Sequence, residues 1–431
     1  MTAKLTVEAL IDDLSPAERE RAERVESVLP ALRDAAIEAD RSGEFPLEHV
    51  KTLSEAGLLG LAVPDEYGGL GGGLRDIVGA CFAMGTACPS TALSYFFHNS
   101  SASRGMLPLE AIDAGLFDDN EVPEVRAFAQ RLLRRMGEGR WMANFASESA
   151  KSAASAITIG TTAEPGTDED GNEGWRLTGV KSFGCATGVA DDYLVAAKLP
   201  GGDTAEYLAV FMVDRRSAGV GERERWDAIG MRATATHGIT LEDVFVPAED
   251  SLAVPGSFVK MMQVSRGSFV GSQVAGTACY LGAAQAVYDF AIAHLTKTTF
   301  ADTGDPIGTA PFQQQLIGSM TAHLGTARQW LLDQLALETS DPPKLPKADV
   351  VANWRIAKGM VAEEGFAVAK DALKACGTSN TGFSGTVSRM YRDLTMGLVQ
   401  AFPAERGRLE AASAIVTGSE STQFGGARKG S

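Results

Sequence analysis

The feature that most constrains the fold is a change of hydrophobic period along the chain, from about 3.6 residues to two and back. Apolar residues at helical spacing fill the first 138 residues, and Ser15 followed by Pro16 forms a helix-start signal. From Trp141 the pattern turns into short β-type runs bounded by Gly, Asp and Pro, at residues 176–181, 207–213 and 237–246. Helical spacing returns from Phe258.

This order predicts an α+β protein of three domains. They are an N-terminal helical domain (residues 1–138), a middle β-domain built as a barrel or sandwich (139–257) and a C-terminal helical bundle (258–431). The predicted helices of the bundle span residues 271–295, 312–338, 348–376, 384–399 and 403–416.

Charge and cysteine content exclude several classes of protein. The chain has 39 Lys+Arg against 55 Asp+Glu, a net charge of -16, so binding to a phosphate backbone lacks its electrostatic driving force. The five cysteines include no CxxC pair, which argues against a metal site or a disulfide scaffold. Gln285 and Asp289 interrupt the most apolar stretch, and the first residues lack a signal peptide. We therefore expect a cytoplasmic protein without nucleic-acid or membrane partners.

Several motifs resemble those of the acyl-CoA dehydrogenase superfamily, in the right order across nearly the whole chain. They are Val-Pro-Asp-Glu-Tyr-Gly-Gly-Leu-Gly at 63–71, Trp-Asp-Ala-Ile-Gly-Met-Arg at 226–232, Leu-Gly-Ala-Ala-Gln at 281–285 and Arg-Met-Tyr-Arg-Asp at 389–393. The resemblance implies that the C-terminal domain is a four-helix bundle. It also implies a flavin, FAD rather than FMN, bound between the β-domain and this bundle in a homo-oligomer, either a dimer or a tetramer.

The resemblance assigns two segments to the flavin ring. Phe145, Ala146 and Ser147 match the family strand that gives backbone and hydroxyl hydrogen bonds to the isoalloxazine. Phe183 matches the aromatic residue that lies against the ring. A turn-capping role is the alternative for Ser147, because serines are common in turns.

Three further cofactor positions are expected from the resemblance, two of them altered. Cys185 replaces a threonine that donates toward flavin N5, and the turn around it resembles that of flavin monooxygenases within the superfamily. A small buried residue is the alternative role for this cysteine. Lys297 stands where an arginine would approach the flavin pyrophosphate, and Gln313 is expected at the cofactor as well.

The catalytic glutamate of the superfamily is missing from both of its usual positions. Ala401 and Phe402 stand at the first position and Ser272 and Gln273 at the second, so we expect these four residues to line the substrate without acting as a base. Glu405 is the nearest acid and the candidate for a relocated base, with a helix-capping or salt-bridged role as its alternative. His98 is a further candidate for the substrate cavity, against a structural histidine.

Three hypotheses follow. The favoured one is a flavin-dependent oxidoreductase that acts on a small acyl or carbonyl substrate, with a flavin reductase as partner. It uses oxygen, as a monooxygenase or oxidase, or it begins its reaction by decarboxylating the substrate. Reduced flavin reacts with oxygen itself, so this chemistry needs no glutamate base. The second is an α,β-dehydrogenase of CoA or carrier-protein thioesters that uses Glu405. The third is a non-catalytic flavin-binding subunit.

Overall fold

Caps and apolar stripes in the sequence define the N-terminal helices. The computed structural model describes residues 4–149, 159–267, 273–401 and 403–418. The first helix begins after Ser15, whose Oγ accepts the Glu18 amide at 3.3 Å while the Glu18 carboxylate accepts the Ser15 amide at 2.8 Å. The helices of this domain are α1 (Pro16–Ser42), α2 (Leu47–Glu55), α3 (Leu74–Ala87), α4 (Pro89–Asp113) and α5 (Val122–Gly137).

The middle domain is one eight-stranded sheet in the order β6-β7-β3-β2-β4-β5-β8, with β1 added parallel to β4. Its strands are β1 (Met142–Phe145), β2 (Thr162–Thr167), β3 (Glu173–Lys181), β4 (Asp192–Lys198), β5 (Leu208–Asp214), β6 (Val220–Glu222), β7 (Ile239–Pro247) and β8 (Ser251–Leu252). The three β-type runs of the sequence correspond to β3, β5 and β7.

The C-terminal domain is helical, as predicted. Its helices are α6 (Ser257–Val264), α7 (Val274–Lys297), α8 (Pro311–Thr339), α9 (Lys347–Cys376), α10 (Thr386–Gly397) and α11 (Ala404–Thr417). Helix α7 crosses α3 at close range, and Gly282 permits this approach. A Cβ on Gly282 would lie only 2.1 Å from the Phe82 carbonyl oxygen. Within the described residues, no helix is both long and apolar enough to cross a membrane. The predicted succession of helical, sheet and helical domains is therefore confirmed.

Ion pairs to the buried carboxylates of Asp192 and Asp250 join helix α5 of the first domain to the middle domain. Asp192, at the start of β4, is fully buried and lies 3.1 Å from Arg135 and 2.6 Å from Arg140. Asp250 lies 2.9 Å from Arg135 and 2.5 Å from Arg131. Helix α5 is thus fixed to the sheet that carries the candidate site.

Candidate functional site

Ser147 and Phe183 lie side by side at the edge of the sheet. They form an antiparallel bridge, and the Ser182 amide donates to the Ser147 carbonyl at 2.8 Å. Residues directly opposite one another in such a pair share a face, so the serine hydroxyl and the phenyl ring point to the same side. Ser147 is exposed, and 50% of Phe183 is exposed. The structure thus brings together the two residues that the resemblance assigned to a flavin ring.

The neighbouring groups fit a flat heteroaromatic ring with polar edges. The Trp226 ring meets the Phe183 ring edge-on, with centroids 5.9 Å apart, which gives the site an aromatic rim. Ala146, the residue before Ser147, is also exposed. The phenyl ring of Phe145 instead packs inside the sheet against Tyr193, at a centroid distance of 4.7 Å. Phe145 can therefore serve a flavin only through its backbone.

Cys185 lies behind this surface as a buried thiol. Its Sγ accepts a hydrogen bond from Thr236 Oγ1 at 3.2 Å. Burial raises the pKa of the thiol to about 11, so the group stays protonated at neutral pH. A protonated thiol is a weak hydrogen-bond donor, in contrast to the hydroxyl of the threonine that the family has at this position.

The turn after Cys185 is bonded to a second turn of unusual backbone conformation. The Ala186 amide donates to the Thr234 carbonyl at 2.8 Å, and the Thr187 amide donates to the Ala235 carbonyl at 2.9 Å. Ala186 has φ 62° and Ala235 has φ 48°, the left-handed region that residues other than glycine rarely occupy. Such strained residues persist where the surrounding structure holds them, and they cluster at functional sites.

The turn between α10 and α11 carries the first position of the missing base. Ala401 is exposed there with φ 61°, and Glu405 is exposed on the first turn of α11. Proton abstraction from carbon needs a carboxylate in a dry site, and the exposed Glu405 does not have that setting. The Gln273 carbonyl accepts the Thr277 amide at 3.2 Å at the start of α7. Phe402 and Ser272 lie outside the described residues.

A buried lysine that was not among the predicted site residues lies beneath this turn. Lys358 is 2% exposed, and its Nζ donates to the Gly397 carbonyl at 2.7 Å, where α10 ends. Burial lowers its pKa to about 8, against the opposing effect of the Glu405 charge. Its burial could have been predicted from the sequence, because the lysine shares a helix face with the apolar Trp354 and Val361.

His98 is a fully buried residue of α4 that contacts β1. Its Nε2 donates to the Leu59 carbonyl at 2.7 Å, and its Nδ1 accepts the Met142 amide at 3.0 Å. Burial lowers its pKa to about 4, so the ring is neutral at physiological pH. Both ring nitrogens are used inside the protein, which is the arrangement of a structural histidine.

The two remaining predicted cofactor residues lie in the C-terminal domain. Lys297 is the exposed last residue of α7. Gln313 is in the first turn of α8, and its Nε2 donates to the Ala375 carbonyl at 3.3 Å. Their role toward a cofactor stays a prediction.

Helix α10 anchors the C-terminal domain to both other domains. The buried Asp393 accepts the Met231 amide at 2.6 Å, and Arg392 forms an ion pair of 2.5 Å with Asp40 of α1. Burial raises the pKa of Asp393 to about 6. The Arg-Met-Tyr-Arg-Asp motif therefore holds the turn that contains Met231 beside the candidate site.

This raised pKa predicts a pH dependence of stability that Asp393→Asn removes. Because the folded-state pKa of about 6 is above the unfolded value of 3.8, the associated stability is complete only below pH 3.8 and is lost as the pH rises from there through 6. The loss is on the order of 3 kcal/mol. The asparagine keeps an acceptor for the Met231 amide and cannot ionise. In urea unfolding from pH 4 to 7, we expect the variant to gain this amount relative to wild type, and a pH-independent difference would contradict the prediction.

The succession of helical, sheet and helical domains, with Ser147 and Phe183 at the edge of the sheet, is that of a family of flavoprotein oxidoreductases. Three family models match the chain in order: acyl-CoA dehydrogenase N-terminal domain at residues 17–108, middle domain at 146–244 and C-terminal domain at 275–402. The chain belongs to the acyl-CoA dehydrogenase family, whose members are flavin-dependent oxidoreductases with FAD as the usual cofactor. The expected family and class of enzyme are confirmed.

The relatives include two kinds of enzyme. The chain is 29% identical over 391 residues to L-evernosamine nitrososynthase of a Micromonospora species, covering 89% of this chain and 86% of the relative. It is 27% identical over 383 residues to the putative acyl-CoA dehydrogenase YdbM of Bacillus subtilis, covering 88% and 92%. Among solved structures, KijD3 in complex with FMN and dTDP-3-amino-2,3,6-trideoxy-4-keto-3-methyl-D-glucose is 25% identical, with a TM-score of 0.77 over 96% of this chain and 97% of that chain.

Proposed function

We propose that this protein is an oxygen-using flavin oxidoreductase that acts on a small amino or carbonyl compound. The observation that carries the proposal is the absence of a carboxylate at both base positions of the family, at Ala401 and at Gln273 with its neighbour Ser272. A bound flavin supplies two-electron transfer and, once reduced, the reaction with oxygen. The similarity to nitrososynthases, and to a protein that binds an amino-keto sugar nucleotide, supports this branch of the family.

The residues of the chain would bind the cofactor and orient it. Ser147 offers a hydroxyl and backbone groups to the polar edge of the ring, and Phe183 offers an aromatic face. Cys185 remains a neutral thiol and contributes no charge behind the ring. None of Ser147, Phe183 and Cys185 is a strong base, which fits a reaction that needs no proton abstraction from carbon. We further propose that the protein works as a homo-oligomer and receives electrons from a flavin reductase.

The second candidate is an acyl-thioester dehydrogenase with Glu405 as relocated base. Its support is the similarity to a putative acyl-CoA dehydrogenase and the charge of Glu405 close to the buried Lys358. The dehydrogenase requires direct reduction of the oxidised flavin by an acyl thioester. The oxygen-using enzyme requires a reductant first and oxygen afterwards.

The experiment exploits this difference. Purified protein loaded with FAD or FMN is mixed without oxygen with straight-chain acyl-CoA esters, and the flavin absorbance is followed. In parallel, protein reduced by NADH and a flavin reductase is mixed with air and an amino-keto sugar nucleotide or an acyl thioester, with oxygen uptake and product mass as readouts. We expect no bleaching in the first assay and substrate-dependent oxygenation in the second.

Two outcomes contradict the proposal. Rapid anaerobic bleaching that is lost in Glu405→Gln, with flavin binding intact, would establish the dehydrogenase, because glutamine keeps the size of the side chain and removes its basicity. Flavin binding without turnover in either assay would favour a non-catalytic flavin-binding subunit.

Phe183→Ala is expected to weaken flavin binding by about 1–3 kcal/mol, because it removes the aromatic face against the ring. Flavin fluorescence quenching during titration of the apo-protein gives the dissociation constant. Phe245→Ala is the matched control, since Phe245 lies on β7 of the same sheet and its ring centroid is 5.6 Å from the guanidinium carbon of Arg176. Equal affinities of the Phe183→Ala variant and wild type would contradict the assignment of this ring.

A further inference from the structure

A buried ion pair supports the two residues of the proposed flavin surface. Lys181 is 0% exposed, and its Nζ lies 2.6 Å from Glu148 Oε1. Glu148 follows Ser147 directly, and Lys181 precedes Phe183 by two residues. The side chain of Glu148 is only 9% exposed, so the charged pair points inward, whereas the serine and the phenylalanine are exposed.

The Glu148 carboxylate joins three segments of the chain. Besides Lys181 at the end of β3, it accepts the Gly160 amide at 2.5 Å and the Thr161 amide at 3.0 Å, and the Thr161 hydroxyl at 2.7 Å. Residues 160 and 161 lead into β2. Burial acts to raise the pKa of Glu148, but the hydrogen bonds from Lys181 and Thr161 keep it below its usual value, so the carboxylate is ionised. A buried charge with this many partners fixes the position of its own backbone.

Few other bonds between described residues hold the two flavin-facing segments together. The Ser182 amide donates to the Ser147 carbonyl at 2.8 Å, and the Ser149 and Ser182 hydroxyls lie 2.7 Å apart. Both bonds involve Ser182, which stands between Lys181 and Phe183. The ion pair between Lys181 and Glu148 is thus one of the few direct links between the segment of Ser147 and the segment of Phe183.

We propose that Glu148 and Lys181 are positioning residues for the flavin: their ion pair sets the spacing of Ser147 and Phe183 against the ring. The inference rests on the flavin site described under the proposed function. It concerns cofactor binding and is independent of whether the enzyme oxygenates or dehydrogenates its substrate.

The test is the double variant Glu148→Gln/Lys181→Met, which removes both charges at similar volume and leaves no buried charge unpaired. We expect its apo-protein to melt within a few degrees of wild type, its FAD dissociation constant to rise at least tenfold, and the visible spectrum of bound FAD to shift. Lys198→Met is the matched control, because Lys198 lies in β4 of the same sheet and pairs with an exposed aspartate, Asp203. Its FAD affinity should equal that of wild type.

A double variant that folds and binds FAD with unchanged affinity and spectrum would overturn the inference, since the pair would then be structural only. If the double variant does not fold, Glu148→Asp replaces it in the test, because aspartate keeps the charge and shortens the reach to Lys181 by one carbon. The FAD dissociation constant and the visible spectrum of bound FAD are then measured for this variant. Failure of the wild-type protein to bind FAD or FMN would overturn the flavin site itself, and this result is distinguishable from an effect of the variants.

Discussion

Asp192→Ala is expected to lower the free energy of unfolding by about 3–5 kcal/mol, because it removes a fully buried carboxylate that forms two ion pairs and takes from Arg140 its closest partner. Asp192 is fully buried, and Arg140 contacts it through two nitrogens, at 2.6 and 2.9 Å. Arg135 reaches the same carboxylate at 3.1 Å. The loss should appear in urea unfolding followed by circular dichroism, as a lower midpoint.

Asp203→Ala is the control for this prediction. Its carboxylate belongs to the same sheet domain and pairs with Lys198, but 86% of its side chain is exposed. Surface ion pairs of this kind contribute at most about 1 kcal/mol. Equal effects of the two substitutions would show that the buried cluster does not stabilise the junction between α5 and the sheet.

Gly230→Ala is expected to destabilise the protein by about 3 kcal/mol, because the added methyl group collides with backbone that cannot rotate away. An alanine Cβ would lie 2.0 Å from the Arg392 carbonyl oxygen and 2.8 Å from the Asp393 amide nitrogen. The collision separates α10 from the turn of the middle domain and breaks the 2.6 Å bond between Met231 and Asp393. We expect a lower thermal midpoint and weaker flavin binding together.

Gly318→Ala provides the contrast. Gly318 lies in the interior of α8, and no atom outside its own helix is within 4 Å of the position of the added Cβ. Alanine is the better helix former by about 0.8–1 kcal/mol, so this variant should be slightly more stable than wild type. A similar loss of stability in both variants would contradict the argument from close backbone contact.

The absence of the family's catalytic glutamate is the sequence feature that bears most directly on the reaction. In the family the catalytic glutamate follows the motif at 389–393 by a few residues. Its replacement by Ala401 can therefore be recognised from the sequence alone. The structure adds that the nearest alternative acid, Glu405, is exposed. Both observations favour a reaction in which the protein positions a flavin and a substrate without removing a proton from carbon.

The sequence by itself determined the order of helical, sheet and helical domains, since the period of apolar residues is a local property. The predicted helix at 348–376 is α9 (Lys347–Cys376), and Ser15 caps α1 as expected. The motifs also indicated that Ser147 and Phe183 act together, and the structure places them as bridge partners.

Only the tertiary structure decided which polar groups are buried and what they contact. Asp393 meets Met231 across 162 positions of the chain, and Lys181 meets Glu148 across 33. The sequence allowed His98 either a place in the substrate cavity or a structural role. In the structure both of its ring nitrogens bond to the backbone, at residues 59 and 142. The physical reason is that burial and pairing depend on segments far apart in sequence, whereas secondary structure follows from neighbours within a few residues.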